Sequence, residues 1–298
     1  MSKTVYIIVG PTAVGKTAFA IALAKHLNTE IISADARQCY KEMTIGVARP
    51  SPAELATLPH HFIASHSIHE NVNAGIFEKY ALEKVNTVLQ KQESVVMVGG
   101  TGLYIRAFCE GIDEIPEIEA TLRTKLNEEY LQKGLAWLQE QVQNEDPVFW
   151  LQAEQENPHR LLRALEVIRG TGYSLLSFQK KKKILRPFNS IKIGLDMPRE
   201  ILYERINLRV NQMVKDGLEK EVRNLYPHFS LNALQTVGYR EWLPFFENKQ
   251  TVDQVIDKIQ QNTRQYAKRQ LTWFRKDPEI QWYQAQGLNI DSVLTNNK

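Results

Sequence analysis

An α/β fold, with a mostly parallel sheet flanked by helices and an inserted all-helical domain, is what three features of this 298-residue sequence predict. First, the apolar run Val5–Val9 leads into Gly10-Pro11-Thr12-Ala13-Val14-Gly15-Lys16-Thr17 and then a helix-like stretch from Ala18 to Leu27. Strand, glycine-bounded loop and helix in that order are the context of a phosphate-binding loop. Second, further short apolar runs at Glu30–Ala34, Ser94–Val98 and Phe188–Leu195 alternate with helical patterns, as a parallel sheet requires. Third, from Pro116 to Arg186 the texture turns to charged, helix-forming sequence without a convincing strand. The expected organisation is a P-loop NTPase-like core in two parts, 1–115 and 187–298, the second carrying a basic C-terminal helix, with a helical insertion at 116–186.

The loop's chemistry follows from its residue types. Glycines at both ends let the backbone amides turn inward and a phosphate approach closely. The helix that follows adds the partial positive charge of its N-terminus. Lys16 brings a full charge to the terminal phosphates, and Thr17 offers a hydroxyl to Mg²⁺. A di- or triphosphate is therefore expected, its identity left open.

Composition narrows the class. With 43% hydrophobic and 24% charged residues the chain has ample material for a core. No apolar run approaches the roughly 18 residues of a membrane span. The start Met1-Ser2-Lys3-Thr4 enters the first strand without a signal-peptide pattern, so a cytoplasmic location and no membrane partner are expected; a monomer is the separate expectation for assembly. Cys39 and Cys109 have no metal-ligand spacing around them and read as reduced thiols. A net charge of +3 does not by itself identify a polyanionic partner, since local clusters bind polyanions.

Along the chain, Asp35 ends the second strand, and residues past strand ends line the ligand crevice of doubly wound sheets. A helix N-cap is its competing role. Residues 41–75 read as loop plus short helix, and the His60-His61 pair has no evident third metal ligand. Ile76 to Leu89 shows helical spacing. The run Ser94–Val98 ends in Gly99-Gly100-Thr101-Gly102 where many phosphate-loop NTPases place an acidic residue, which argues against ordinary nucleotide hydrolysis. Asn157 to Val167 reads as a capped helix carrying Arg160 and Arg163. Lys180–Lys183 is a cationic run. Arg205 and Arg209 lie i, i+4 on one helix face, suited to a surface or to clamping an anion. In Gln260–Lys276, at about 100° per residue, Tyr266, Ala267, Leu271, Trp273 and Phe274 share one arc, while Arg264, Lys268 and Arg275 form a stripe on another. No acidic residue balances that stripe, which favours a phosphate-backbone partner. From Gln284 onward a loose polar tail is expected.

Several segments together resemble one family, the bacterial tRNA dimethylallyltransferases (tRNA isopentenyltransferases). They are Gly10–Thr17, Ser33-Ala34-Asp35 followed by Tyr40, Gly99–Tyr104, Asn157–Val167, Val237-Gly238-Tyr239-Arg240 and Thr263–Arg275. The resemblance spans Val5 to about Trp282. It implies transfer of a dimethylallyl group from dimethylallyl diphosphate to the exocyclic amine of the adenine 3′ of the anticodon, in tRNAs reading codons that begin with U, giving isopentenyladenosine. It implies Asp35 as general base and Thr101 in the reaction channel. Gly10, Pro11, Thr12, Ala13, Val14, Gly15, Lys16, Thr17 and Arg209 would hold the diphosphate, with Mg²⁺ on Thr17. Contacts to the tRNA anticodon stem-loop would fall on Asp35, Ala36, Arg37, Gln38 and Thr101, and on Arg123, His159, Arg160, Leu161, Leu162 and Arg163 of the insertion. Further contacts would fall on Gln235, Thr236, Val237, Gly238, Tyr239 and Arg240, joined by the basic stripe Arg264, Lys268 and Arg275. The family's usual Ser after the Asp is Ala36 here, and its usual Thr and Lys further on are Val47 and Arg49.

Three other functions fit parts of the sequence. A small-molecule or nucleoside kinase uses the loop and Asp35 but leaves the basic helix and the insertion idle. A prenyltransferase acting on free adenine nucleotides leaves the insertion's arginines idle. A non-catalytic RNA-binding module has no use for the intact Lys16-Thr17 pair.

Overall fold

The structure, a computed structural model, describes residues 3–179 and 184–296, so the Lys180–Lys183 run falls outside the described residues. The chain forms two compact units, Met1–Gly111 with Ile184–Lys298, and Ile112–Lys183.

The first unit is built on six strands: β1 (Thr4–Val9), β2 (Ile31–Ser33), β3 (His60–His61), β4 (Ser94–Val98), β5 (Asn189–Asp196) and β6 (Ile280–Gln284). They pair in the order β3-β2-β4-β1-β5-β6, every ladder parallel. Side chains alternate between two buried clusters. Val5, Ile7 and Val9 of β1 join Ile32 and Met97 in one, and Ile8 joins Ile31, Val96, Ile193 and Leu195 in the other. Burial on both faces explains why these strands read as continuous apolar runs, and the alternation pins the register, since a one-residue slip would exchange the faces. Because the ladders are parallel, the turns after β1, β2 and β4 emerge at one edge of the sheet, where the phosphate loop, Asp35 and Gly99–Gly102 meet.

Two elements depart from the sequence expectation. Strand β3 lies in the stretch read as loop, because two residues carry no periodicity. The end of the chain is not a loose tail. Strand β6 pairs with β5, and a short helix, Ile290–Thr295, follows, capped by the Asn289 side chain and seating Val293 with 0% exposure. Lys192, buried within β5, reaches Asp277 at 2.7 Å and Glu279 at 2.8 Å, tying down the turn that leads into β6. Burial alone lowers such an ammonium's pKa, and the two carboxylates more than reverse this, so it is raised.

The second unit holds only helices among its described residues. Ala120–Glu145 is broken at Gly134, whose φ of 78° takes the left-handed region. Pro158–Thr171 begins where Asn157 accepts the Arg160 amide and Pro158 occupies the first turn, and it ends at left-handed Gly172. Its core joins Leu126, Leu138, Val142, Phe149, Leu161 and Leu165.

Candidate functional site

The phosphate loop is shaped by close packing before any ligand is considered. Gly10 has φ +139°, and a Cβ there would lie 2.4 Å from the Leu195 carbonyl oxygen, so only glycine fits between β1 and β5. Lys16 donates to the Pro11 carbonyl at 2.7 Å. Burial lowers its pKa to about 7, Asp35 opposing the shift and Arg209 adding to it.

The loop floors a cleft of about 220 Å³ whose walls include Thr12, Lys16, Thr17, Asp35, Arg205, Arg209, Tyr266 and Gln270. Burial and then the neighbouring Arg205 lower the Arg209 pKa, Glu54 opposing them, so two guanidinium groups crowd this wall of the cleft. A smaller cavity of about 110 Å³, lined by Arg37, Gly46, Met213, Thr236, Val237 and Gly238, shares Thr12, Asp35, Val47, Ala48, Arg209 and Tyr266 with the first. The shared residues mark a junction between a cationic chamber and a more apolar one.

Asp35 stands at that junction, and no helix starts there for it to cap: the residues after it form a turn, which its side chain closes. Its Oδ1 accepts the amides of Arg37 at 2.9 Å and Gln38 at 3.2 Å. Thr101 secures the next peptide, its Oγ1 accepting the Ala36 amide at 3.0 Å, while its own amide donates to the Ala34 carbonyl at 3.2 Å. Gly99 lies against the same turn, where a Cβ would fall 2.1 Å from the Ala34 carbonyl oxygen. The glycines ending β4 therefore let two strand ends touch.

Gln270, 6% exposed, links three pieces of the site. Its Oε1 accepts the Thr12 amide at 2.8 Å and its Nε2 donates to the Gly100 carbonyl at 3.0 Å. The cleft favours the anion-clamping alternative for Arg205 by placing it beside Arg209, whereas Gln270 and Tyr266 carry no site role from sequence alone. A signal existed for the first: on a helical wheel Gln270 falls inside the apolar arc, between Tyr266 and Phe274, where a polar residue needs a reason.

The expected RNA-contacting residues divide. Arg37 reaches the Asn232 carbonyl at 2.9 Å and lines the smaller cavity with Thr236, Val237 and Gly238. Gln38 is engaged internally, donating to the Val47 and Ala48 carbonyls, as is Gln235, which donates to the Phe229 carbonyl. Arg240 is exposed. Tyr239 turns its side chain inward: it is 0% exposed, with the hydroxyl 2.6 Å from Glu221 Oε1 and the ring packed where a Cβ on Gly46 would sit. Glu221 also accepts the amides of Thr44, Ile45 and Gly46, so Tyr239 supports that loop and presents no side-chain surface. Arg49, the departure from the family's Lys, staples the same loop through the carbonyls of Tyr40, Lys41 and Met43.

The Leu161 side chain is likewise turned inward, buried in the helical unit's core, whereas His159 and Arg160 are exposed and Leu162 is half-buried. Arg160 pairs with Glu154 at 3.3 Å, and Arg123 and Arg163 both reach the buried Glu166 at 2.9 Å. The basic stripe of Val252–Phe274 is less free than its sequence suggests. Arg264 donates to Asn207 at 2.6 Å, and Arg275, just past the helix, pairs with Asp196 at 2.8 Å, while Lys268 is exposed. Tyr266 and Trp273 are 36% and 39% exposed rather than buried with Ala267 and Phe274.

Comparison with known proteins decides the family. The model of the family described as IPP transferase matches residues 38–277. A tRNA dimethylallyltransferase of Christiangramia forsetii is 49% identical over 284 residues, covering 95% of this chain and 94% of that protein. The chain belongs to the tRNA dimethylallyltransferase family. The Flavobacterium johnsoniae member is 46% identical, covering 94% of this chain and 93% of its own. The crystal structure of the tRNA isopentenylpyrophosphate transferase from Bacillus halodurans, 34% identical, superposes with a TM-score of 0.72 and covers 100% of this chain and 94% of that one. A eukaryotic dimethylallyltransferase captured acting on tRNA gives 0.81 at 25% identity, covering 99% of this chain and 77% of its own. Among the described residues no helix is long and apolar enough to cross a membrane.

Proposed function

We propose that the protein transfers the dimethylallyl group of dimethylallyl diphosphate to the exocyclic amine of the adenine 3′ of the anticodon in tRNA. The observation that carries this reading is the joint lining of one cleft by the phosphate loop, Arg209 and Asp35, with glycines where β4 would otherwise supply an acid for nucleotide hydrolysis. Lys16, Arg209 and the loop amides grip the diphosphate as a leaving group.

An adenine amine is a weak nucleophile because its lone pair is delocalised into the ring. Asp35 accepts its proton as the N–C bond forms, an effect on the order of 10²–10⁴-fold in rate. The Oδ1 bonds to Arg37 and Gln38 fix the carboxylate and leave Oδ2 for the substrate. Thr101 holds the turn that carries it. Charge developing on the departing diphosphate is met by Lys16, Arg209 and the helix N-terminus. A stacked base cannot enter such a pocket, so the adenine is flipped out of the single-stranded loop. Arg37, Thr236, Val237 and Gly238 line its way in.

The donor set fits Mg²⁺ carried on the diphosphate. Among the described residues no cluster of three His, Cys, Asp or Glu side chains could hold a metal by itself, and Thr17 lines the cleft. Mg²⁺ keeps several waters and binds through few protein oxygens plus substrate phosphates. Bound there, it would neutralise leaving-group charge.

Mass spectrometry of nucleosides from unmodified tRNA incubated with the protein, Mg²⁺ and dimethylallyl diphosphate tests the reading. Isopentenyladenosine is the expected product. Nucleotide turnover in its place, or prenylation of free AMP without tRNA, would overturn it.

A further inference from the structure

We propose that Tyr266 is a further catalytic residue, its phenolic hydroxyl donating a hydrogen bond to the diphosphate oxygen that departs from the dimethylallyl carbon. The proposal rests on the transfer reading above. Three observations lead to it.

Position comes first. Tyr266 borders both cavities together with Thr12, Asp35 and Arg209. If Asp35 receives the amine's proton and the phosphate loop holds the leaving group, the carbon changing partners sits between them, at this junction. A hydroxyl on its wall faces the bond that breaks.

The second is orientation. Gln270, one helical turn on, already uses its Oε1 for the Thr12 amide and one Nε2 hydrogen for the Gly100 carbonyl. Its side chain also acts on the Tyr266 hydroxyl, in the sense that favours the ionised phenol. Gly100 in turn lies beside Lys16, whose Nζ would be 3.9 Å from a Cβ placed there. Gln270 thus places this turn of the helix, and Tyr266 with it, at the phosphate end of the junction.

The third is proton inventory. Although 36% of the Tyr266 surface is exposed, desolvation by the protein packed around its phenol, followed by the neighbouring Asp35, pushes the pKa up to about 12, so the proton stays in place at neutral pH. In the step itself the amine nitrogen bonds to the dimethylallyl carbon as the carbon–oxygen bond breaks. The electron pair of that bond goes to the departing oxygen, and the amine proton goes to Asp35. Tyr266 keeps its proton and stabilises the new negative charge, joining Lys16 and Arg209 as a short-range donor.

Single-turnover transfer to an anticodon stem-loop, measured for wild type, Tyr266→Phe and Tyr266→Leu with separate titrations of dimethylallyl diphosphate and RNA, tests this. The Phe variant is expected to lose roughly 10²-fold in the transfer rate constant, with both affinities within about threefold of wild type, and Leu is expected to match it. A Phe variant at the wild-type rate, or one that loses donor affinity alone, would overturn the proposal and reduce Tyr266 to packing or ground-state binding. Absence of transfer by the wild-type protein would instead overturn the parent reading.

Discussion

Gln270 on the basic helix holds Thr12 of the phosphate loop across 258 residues of chain, its Oε1 accepting the Thr12 amide at 2.8 Å. The loop that opens the sequence is thus completed by a residue near its end. Replacing Gln270 by Ala strands the Thr12 amide and the Gly100 carbonyl, and each unpaired buried group costs about 1–3 kcal/mol. The expected outcome is a lower thermal midpoint together with weaker binding of dimethylallyl diphosphate. Loss of stability with donor affinity intact would show that the anchor does not shape the loop.

Asp35 combines a structural and a chemical role, and two substitutions separate them. Asn retains an oxygen able to accept the Arg37 and Gln38 amides, whereas Ala does not. Asp35→Asn is expected to leave tRNA affinity within a few-fold and to cut transfer by roughly 10²–10⁴. Asp35→Ala should cut transfer as deeply and also lower stability. Equal losses of tRNA binding and transfer in the Asn variant would refute the general-base role.

Thr101 acts on Asp35 through the Ala36 amide it accepts. Thr101→Val keeps the shape and leaves that amide unpaired, so the expected result is a fall in kcat of about tenfold, matching the roughly 1–3 kcal/mol cost of an orphaned donor. Thr101→Ser restores the acceptor and should restore most of kcat. If the serine variant performed no better than the valine variant in steady-state assays, the hydroxyl's link to the turn would be irrelevant to turnover.

What could be read from sequence was what is local. The phosphate loop, Asp35 at a strand end and the Asn157 cap each announce themselves within a few residues, because backbone geometry and nearest-neighbour hydrogen bonds decide them. The β4 glycines were legible as the absence of an acid, though what packs against them was not: the Ala34 carbonyl and the Gln270 amide come from distant segments. Tyr239 and Leu161 lie in segments that the resemblance assigns to tRNA contact, and a segment's resemblance does not say which side chain turns inward. Glu221 beneath Tyr239 and the helical core around Leu161 decide that. The arginines of the basic stripe looked unbalanced because their partners, Asn207 and Asp196, lie elsewhere in sequence.

Lys16 makes donor binding depend on pH. Burial sets its pKa at about 7 in the free protein, and a bound diphosphate raises it by favouring the ammonium. Binding therefore takes up a proton above pH 7. Affinity is expected to fall by about tenfold per pH unit from there until the bound-state pKa is passed. Folding carries the opposite trend. The unfolded lysine titrates near 10.5, so between about 7 and 10.5 the unfolded chain binds more protons, and the ligand-free protein gains stability as pH rises. Below pH 7 the penalty of the buried charge is present in full. Calorimetric titrations in buffers of different ionisation enthalpy should register the uptake at pH 8, and none would be seen if Lys16 were already charged.

Lys268 is the member of the basic stripe best placed to act on RNA. Arg264 and Arg275 donate to Asn207 and Asp196, so each must give up a protein partner before meeting a phosphate, whereas the Lys268 side chain is exposed. Each phosphate contact on a single strand contributes roughly −0.7 to the slope of log affinity against log salt. Lys268→Ala is expected to weaken tRNA binding at low salt and flatten that slope by about this amount. Arg275→Ala should change it by less, because the cation it removes is already matched by Asp196. Slopes measured by filter binding from low to moderate salt separate the cases. An unchanged slope for Lys268→Ala would return the whole helix face to packing and to the Gln270 anchor, and a larger effect at Arg275 would mean that the Asp196 pair opens when RNA binds.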